Sequence, residues 1–260
     1  MKLLSIGEIL WDLIGGEAHL GGAPFNLAVQ ARRLGHDVAF VSAVGDDELG
    51  RAALAEAARR GIPTDYIETV RGAPTGTVTV ALDAEGQPTF TIHRPAAYDC
   101  IPARAIGFDP DWICFGTLHQ TAPAMRRLTQ DLVDACPRAR RFYDVNLRPN
   151  CYTPSLIAEL LRQASVVKLN ESEAAELERM FGPREWPSAC ITRGAAGCSI
   201  YLNGERTDCP GHPVTVADAV GAGDAFSAAF LHGLSQGWTA REIGDFANRI
   251  AAEAASRHGA

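Results

Sequence analysis

Asp218-Ala219-Val220-Gly221-Ala222-Gly223-Asp224 runs directly into Ala225-Phe226-Ser227-Ala228-Ala229-Phe230-Leu231. The second segment predicts an apolar helix. The glycines before it let the backbone turn tightly, with no side chains in the way. The unpaired N–H groups of the helix start then converge on one spot, with the positive end of the helix dipole behind them. An anion such as a transferring phosphoryl group fits there. Asp224, at the edge of this hole, is placed to take a proton from an alcohol while the hole holds the phosphoryl charge. A lone aspartate at a helix start would equally well complement the dipole, so the surrounding sequence must decide.

Outward from this point, short apolar runs alternate with helical patterns. Strands are expected at residues 3–6, 37–44, 112–115, 141–145, 165–169 and 189–192, and helices at 25–34, 49–60, 124–135 and 155–163. That rhythm implies βαβ units and a parallel sheet. Polar residues close several of the strands: Gly116-Thr117, Asn146-Leu147-Arg148, Asn170-Glu171 and Arg193-Gly194. Ligands bind outside the carboxyl ends of such strands, which singles these residues out. Residues 77–82 and 89–93 alternate polar and apolar around Asp83-Ala84-Glu85-Gly86, a β-hairpin with one solvated face. It is expected to stand apart from the parallel sheet as a lid or a dimer contact.

The bulk properties narrow the field. The chain has 260 residues, 47% apolar and 21% charged, which fits one α/β domain spanning 1–260 with a substantial core. Its net charge of −7 argues against nucleic acid or an anionic membrane as the main partner. The seven cysteines show no C-x-x-C spacing and suit free thiols in a reducing cytoplasm. No run approaches the roughly 20 apolar residues that a membrane helix needs. The only lysines are Lys2 and Lys168, neither after a glycine, so a Walker A loop is absent; so is G-x-G-x-x-G.

Two signatures together make the sequence recognisable. One is Gly21-Gly22-Ala23-Pro24-Phe25-Asn26-Leu27-Ala28, with Leu34-Gly35 and Val44-Gly45-Asp46-Asp47-Glu48-Leu49-Gly50 after it; the other is residues 218–224. In this order and at this separation the chain resembles the ribokinase (PfkB) family of sugar kinases over nearly its whole length. The resemblance implies a three-layer α/β/α sandwich with a mostly parallel central sheet and a small β lid from residues 13–20 and 75–94. It also implies ATP and Mg²⁺, with K⁺ as an activating ion.

Site residues follow from the resemblance one by one. Asp224 matches the general base, and Gly221, Ala222 and Gly223 the anion hole. Asp12 matches the carboxylate that grips sugar hydroxyls, with Gly21, Gly22 and Asn26 as further sugar contacts. Asp144-Val145-Asn146-Leu147-Arg148 is similar to an element of the fructokinase-like branch, in which Arg148 meets the sugar or the moving phosphate. Asn170 and Glu173 match an N-x-x-E element whose Glu places Mg²⁺ through water. Thr192, Gly194 and Gly197 match a nucleotide-binding turn, and Asn248 an adenine contact. Asp218, Ala254, Arg257 and Gly259 match a loop for a monovalent cation.

There are departures from the family pattern. Ala219 stands where Thr is usual, the segment from Glu173 to Ala189 is short, and the C-terminus appears shortened. The resemblance implies a kinase for fructose, with ribose and 2-keto-3-deoxygluconate as competing substrates. A non-catalytic sugar or nucleotide sensor on the same fold is the rival, and a homodimer through the lids is the expected assembly.

Overall fold

The computed structural model describes residues 1–82, 88–218 and 220–257. The turn expected at Asp83–Gly86, and the positions Ala219 and Gly259, lie outside these residues. In chain order the elements are β1 (Lys2–Ile6), β2 (Leu10–Ile14), β3 (Glu17–Gly21), α1 (Ala23–Arg33), β4 (Asp37–Gly45), α2 (Glu48–Arg59), β5 (Ile67–Val70), β6 (Gly76–Leu82) and β7 (Pro88–His93). Then follow β8 (Trp112–Gly116), α3 (Pro123–Ala135), β9 (Arg140–Asp144), α4 (Pro154–Gln163), β10 (Val166–Asn170), α5 (Glu171–Phe181), β11 (Ser188–Thr192), β12 (Cys198–Leu202), β13 (Glu205–Cys209), α6 (Ala222–Gln236) and α7 (Ala240–Ala255).

A nine-stranded sheet in the order β13-β12-β11-β10-β9-β8-β1-β4-β5 forms the middle layer. It is parallel from β5 to β11, and β12 and β13 extend it antiparallel. The strands are apolar on both faces because both are covered. Successive side chains divide between two cores: Leu3, Trp112, Phe142 and Val166 join one, while Leu4, Ile113, Tyr143 and Val167 join the other. Helices α1, α6 and α7 pack on the first face, and α3, α4 and α5 on the second. The chain leaves β1 for β4 on one side and returns to β8 on the other, which makes the carboxyl ends of β1 and β8 the switch point where a ligand crevice opens.

Helix α6 is buried through Ala225–Leu231 because α1 and α7 flank it while the sheet lies beneath. Its apolar character all round, which predicts a buried helix, is thereby explained. A separate four-stranded sheet, β3-β2-β6-β7, stands beside the crevice; β2 and β6 pair in parallel and the other two pairings are antiparallel. Leu10, Val78, Ala96 and Tyr98 form a small core under it, and Ile14 and Phe90 remain exposed on it.

Helices α5 and α7, strand β5 and the β12–β13 hairpin were not expected. Among the described residues, no helix is long and apolar enough to cross a membrane.

Asp47 ties the two sheets' connections together. It caps α2 by accepting from Gly50 N at 2.7 Å, and it also accepts from Thr75 N at 2.8 Å and Thr75 Oγ1 at 2.6 Å, just before β6. Asp47→Ala is expected to cost about 2–4 kcal/mol in urea unfolding, since it removes a cap and strands the Thr75 N–H. Asp46→Ala, one residue away and exposed, should stay within about 0.5 kcal/mol.

Candidate active site

The exits of β1, β8, β9 and β10 converge on the N-terminus of α6. Gly221 precedes the helix with φ of 78°, a left-handed backbone that glycine adopts without strain. Ala222 and Gly223 open the first turn, and Asp224 follows in it, half-buried. Asn26, one turn into α1, donates from Nδ2 to Asp224 Oδ2 at 2.9 Å.

Gly21 and Gly22 bring the small sheet up to this point. A Cβ on Gly21 would lie 2.7 Å from Asp12 Oδ2 and 4.0 Å from Asn26 Nδ2. On Gly22, whose φ is 109°, it would meet the Glu8 carbonyl oxygen at 2.4 Å. Asp12, Gly21, Gly22, Asn26 and Asp224, far apart in sequence, therefore form one continuous patch.

Its carboxyl groups are shifted toward the protonated form. Burial, reinforced by the carboxylate of Asp144, pushes Asp224 up to about 7; Lys168, the Asn26 hydrogen bond and Arg148 pull the other way. Glu8, beside β1's end, is also raised to about 7, chiefly by burial. Among the described residues its Oε2 is buried without a hydrogen-bond partner, as are the Tyr98 hydroxyl and both ring nitrogens of His119. Burial likewise raises Asp12. Arg148 is exposed and donates to its neighbour's carbonyl, Leu147 O, at 3.3 Å, and its charge reaches Glu8, Asp12 and Asp224.

On the other side of the hole lies a cavity of about 610 Å³. Its walls include Ala222, Gly223, Phe226, Thr192, Gly194, Gly197 and Asn248, so the expected nucleotide-binding turn and anion hole share one space. Val214, Val216 and the Ala251-Ala252 pair make much of the lining apolar, as a purine face requires. Asn248 lines the cavity, but its Nδ2 is used on the carbonyls of Pro210 (2.9 Å) and Cys209 (3.4 Å), which fixes the loop after β13.

Two expected metal positions are placed as follows. Asn170 and Glu173 form a capping box on α5; Glu173 Oε2 accepts from Asn170 N at 2.8 Å and Oε1 from Leu147 N at 2.9 Å. Each oxygen keeps a further lone pair, which suits a hold on a hydrated hard cation through water. Asp218 is drawn to the end of α7, where the N–H groups of Ala217 and Asp218 both donate to Ala255 O at 2.9 and 3.1 Å. Ala254 and Arg257 lie with Gly221 around a separate cavity of about 210 Å³.

Sequence reasoning missed three polar groups here. Lys168 pairs with Asp144 at 3.1 Å to each oxygen, Ser227 Oγ donates to Asp144 Oδ2 at 3.1 Å, and Glu8 lies buried beside them. The signal was available: a lysine inside the apolar run Val166-Val167-Lys168-Leu169 demands a buried partner.

A parallel sheet with a helix N-terminus at its switch point, a half-buried carboxylate at that terminus and an apolar nucleotide-sized cavity behind it suit phosphoryl transfer. The model of the pfkB family of carbohydrate kinases matches residues 13–260, and the chain belongs to that family. It is 31% identical to the fructokinase of Klebsiella pneumoniae over 262 residues, covering 90% of this chain and 84% of the relative. The crystal structure of a sugar kinase from Pyrococcus horikoshii in complex with ATP superposes with a TM-score of 0.89 at 28% identity, over 99% of this chain and 93% of that one. A fructokinase from Xylella fastidiosa with bound ATP gives 0.88 at 25% identity, over 100% and 93%. The protein is therefore a carbohydrate kinase of ribokinase-like fold.

If Asp224 must be ionised to work, kcat/KM should fall as pH drops through about 7, the value its burial sets, and level off above it. A pH–rate profile checks this; an acid limb near 4 would mean that another group controls it.

Proposed function

We propose that the protein phosphorylates a hydroxyl of fructose, with Asp224 as general base. The observation that carries this reading is the placement of Asp224 between the Asp12–Asn26 patch and the Gly221–Gly223 hole. Asp12, Gly21, Gly22 and Asn26 hold the sugar; the backbone N–H groups of the hole face the γ-phosphate. Asp224 takes the hydroxyl proton as the sugar oxygen bonds to γ-phosphorus, and the bond from that phosphorus to the bridging oxygen breaks, releasing ADP. Positioning and charge stabilisation supply most of the rate. Mg²⁺, held through water by Glu173, would neutralise triphosphate charge. Asp218, Ala254, Arg257 and Gly259 would hold K⁺ and keep the hole in shape.

A neutral sugar fits the charge around the pocket better than a sugar acid. Glu8, Asp12 and Asp224 all line this side. Arg94, the cation a carboxylated sugar would need beside Arg148, is already engaged. Its Nε donates to Asp99 at 3.0 Å, and its other nitrogens bond Asp99, Leu118 O and Thr121. This favours fructose over 2-keto-3-deoxygluconate; the fructokinase relatives favour it over ribose.

The small sheet acts in this reading as a lid that carries Asp12 to the sugar and excludes water. A second copy of the chain covers the exposed Ile14 and Phe90.

An ADP-release assay with fructose, ribose, 2-keto-3-deoxygluconate and adenosine, at fixed Mg²⁺ and K⁺, tests the assignment. Fructose should give the highest kcat/KM, and EDTA should abolish turnover. Asp224→Asn should lower kcat on the order of 10²–10⁴-fold with sugar and ATP binding little changed. Sugar binding without turnover in the unaltered protein would point to a sensor instead.

A further inference from the structure

Lys168 and Asp144 stand opposite each other on the parallel strands β10 and β9, so their side chains leave the same face of the sheet, the face that α6 covers. The ammonium lies 3.1 Å from both Asp144 oxygens, and Ser227, one turn into α6, donates to Asp144 Oδ2 at 3.1 Å. The same serine hydroxyl lies 3.0 Å from the Gly223 carbonyl oxygen. Strand pair and anion hole are thus joined through one hydroxyl.

Gly223 shows where the ammonium sits. Its backbone is not left-handed, so no torsional requirement calls for glycine here. A Cβ at this position would meet one group, Lys168 Nζ, at 3.4 Å. The missing side chain leaves the cation immediately below the first turn of the hole. Two of the three N–H donors of the ammonium go to Asp144, and among the described residues no group takes the third.

We propose that Lys168, clasped by Asp144 and Ser227, is the cation of the anion hole: a positioning residue that puts a fixed positive charge under Gly223, between the catalytic carboxylate and the transferring phosphoryl group. The inference rests on Asp224 being the base.

The charge inventory explains why such a group is needed. Asp224 faces Asp144 from β9, Glu8 from the exit of β1, Arg148 from the loop after β9, Lys168 from β10 and Asn26 from α1. Three of these groups are carboxylic acids, Asp224 included, and the donor adds a triphosphate. Lys168 is the buried cation among them; Arg148 is exposed and screened by solvent. Burial works against the ammonium, but Asp144, with Glu173 and Asp224 further off, outweighs it and keeps Lys168 charged. Without that charge, the Asp144 carboxylate raises Asp224 with less to oppose it, which favours the protonated form and silences the base.

A purely structural ion pair would be an expensive choice, because two apolar residues in the same space would be at least as stable. Its place at the carboxyl ends of two central strands is where ligands bind, not where a sheet needs fastening.

The test compares Lys168→Met, Lys168→Arg, the neutral pair Lys168→Met/Asp144→Asn, and Asp224→Asn, all in the full chain with ATP and fructose. The double variant leaves no unpaired buried charge, so its melting temperature should stay near that of the unaltered protein. Lys168→Met should lower kcat about 10²–10³-fold with KM for fructose little changed. The acid limb of its pH profile should move upward, because the carboxylates have lost their cation. Lys168→Arg should recover part of the rate, and the double variant should stay slow although folded.

Two results overturn the proposal. One is a folded Lys168→Met with kcat within about 3-fold of normal and an unmoved acid limb. The other is full recovery of kcat in the double variant, which would make the pair structural. Near-normal kcat in Asp224→Asn would instead overturn the assignment of the base. The kcat of Lys168→Met would still report on the charge under the hole.

Discussion

The arrangement depends on the burial of one helix. α6 is apolar all round, so it must lie between the sheet and two flanking helices, and it has little freedom to tilt or slide there. Phe226 and Phe230 stack with centroids 6.3 Å apart, and Phe230 packs on Phe142 of β9 at the same separation. That contact fixes the height of the helix above the sheet and sets its first turn level with the strand ends. The hole, Asp224 and the hydrogen bond from Asn26 are consequences of where α6 is anchored. Loops alone would not hold backbone N–H groups steady against the charge of a phosphate; a helix packed on three sides does.

The same packing creates an electrostatic difficulty. Packing the helix start against the strand ends also partly shields Asp224 from water, near Asp144 and Glu8. Burial and the Asp144 carboxylate favour the protonated carboxyl, while Lys168, Asn26 and Arg148 oppose them. The balance falls at about 7, where the group is about half ionised at neutral pH and can both take and release a proton. The balance needs neighbours of both signs from different elements. This accounts for a lysine inside an otherwise apolar strand and an arginine just past the end of the next one.

Much of this was legible in the sequence because it is written in local chemistry. The βα rhythm, the glycine-rich entry to α6 and the alternating pattern of residues 77–82 depend on neighbours in the chain, and the strands and helices they imply are present with ends shifted by a residue or two. What was missed follows a different logic. α7 carries an amphipathic pattern of Ile243, Phe246, Ala247 and Ile250 behind the Thr239–Glu242 capping box, and β12–β13 the Asn203-Gly204 turn, signals that the sequence reading passed over. α5 was hidden by its own start: Asn170 and Glu173 read as a metal element, and they are also a helix cap. Lys168 and Glu8 owe their importance to partners on other strands and loops, which single-sequence periodicity does not reveal.

The sugar side and the phosphate side are also built differently. The phosphate side belongs to the large sheet and its helices, which a hydrophobic core on each face holds together. On the side proposed for the sugar, Asp12 comes from the small sheet, whose own core comprises four of the described residues, while Asn26 and Asp224 come from the large body. Gly21 and Gly22 join the two where any side chain would collide with Asp12 or with Glu8's carbonyl. A small, weakly packed sheet on a glycine joint is the part that can move at low cost. In the function proposed above, a sugar bonded to Asp12 on one side and Asn26 on the other would close the joint and bring its hydroxyl to Asp224 as the sheet settled over the crevice, making polyol binding and water exclusion one event.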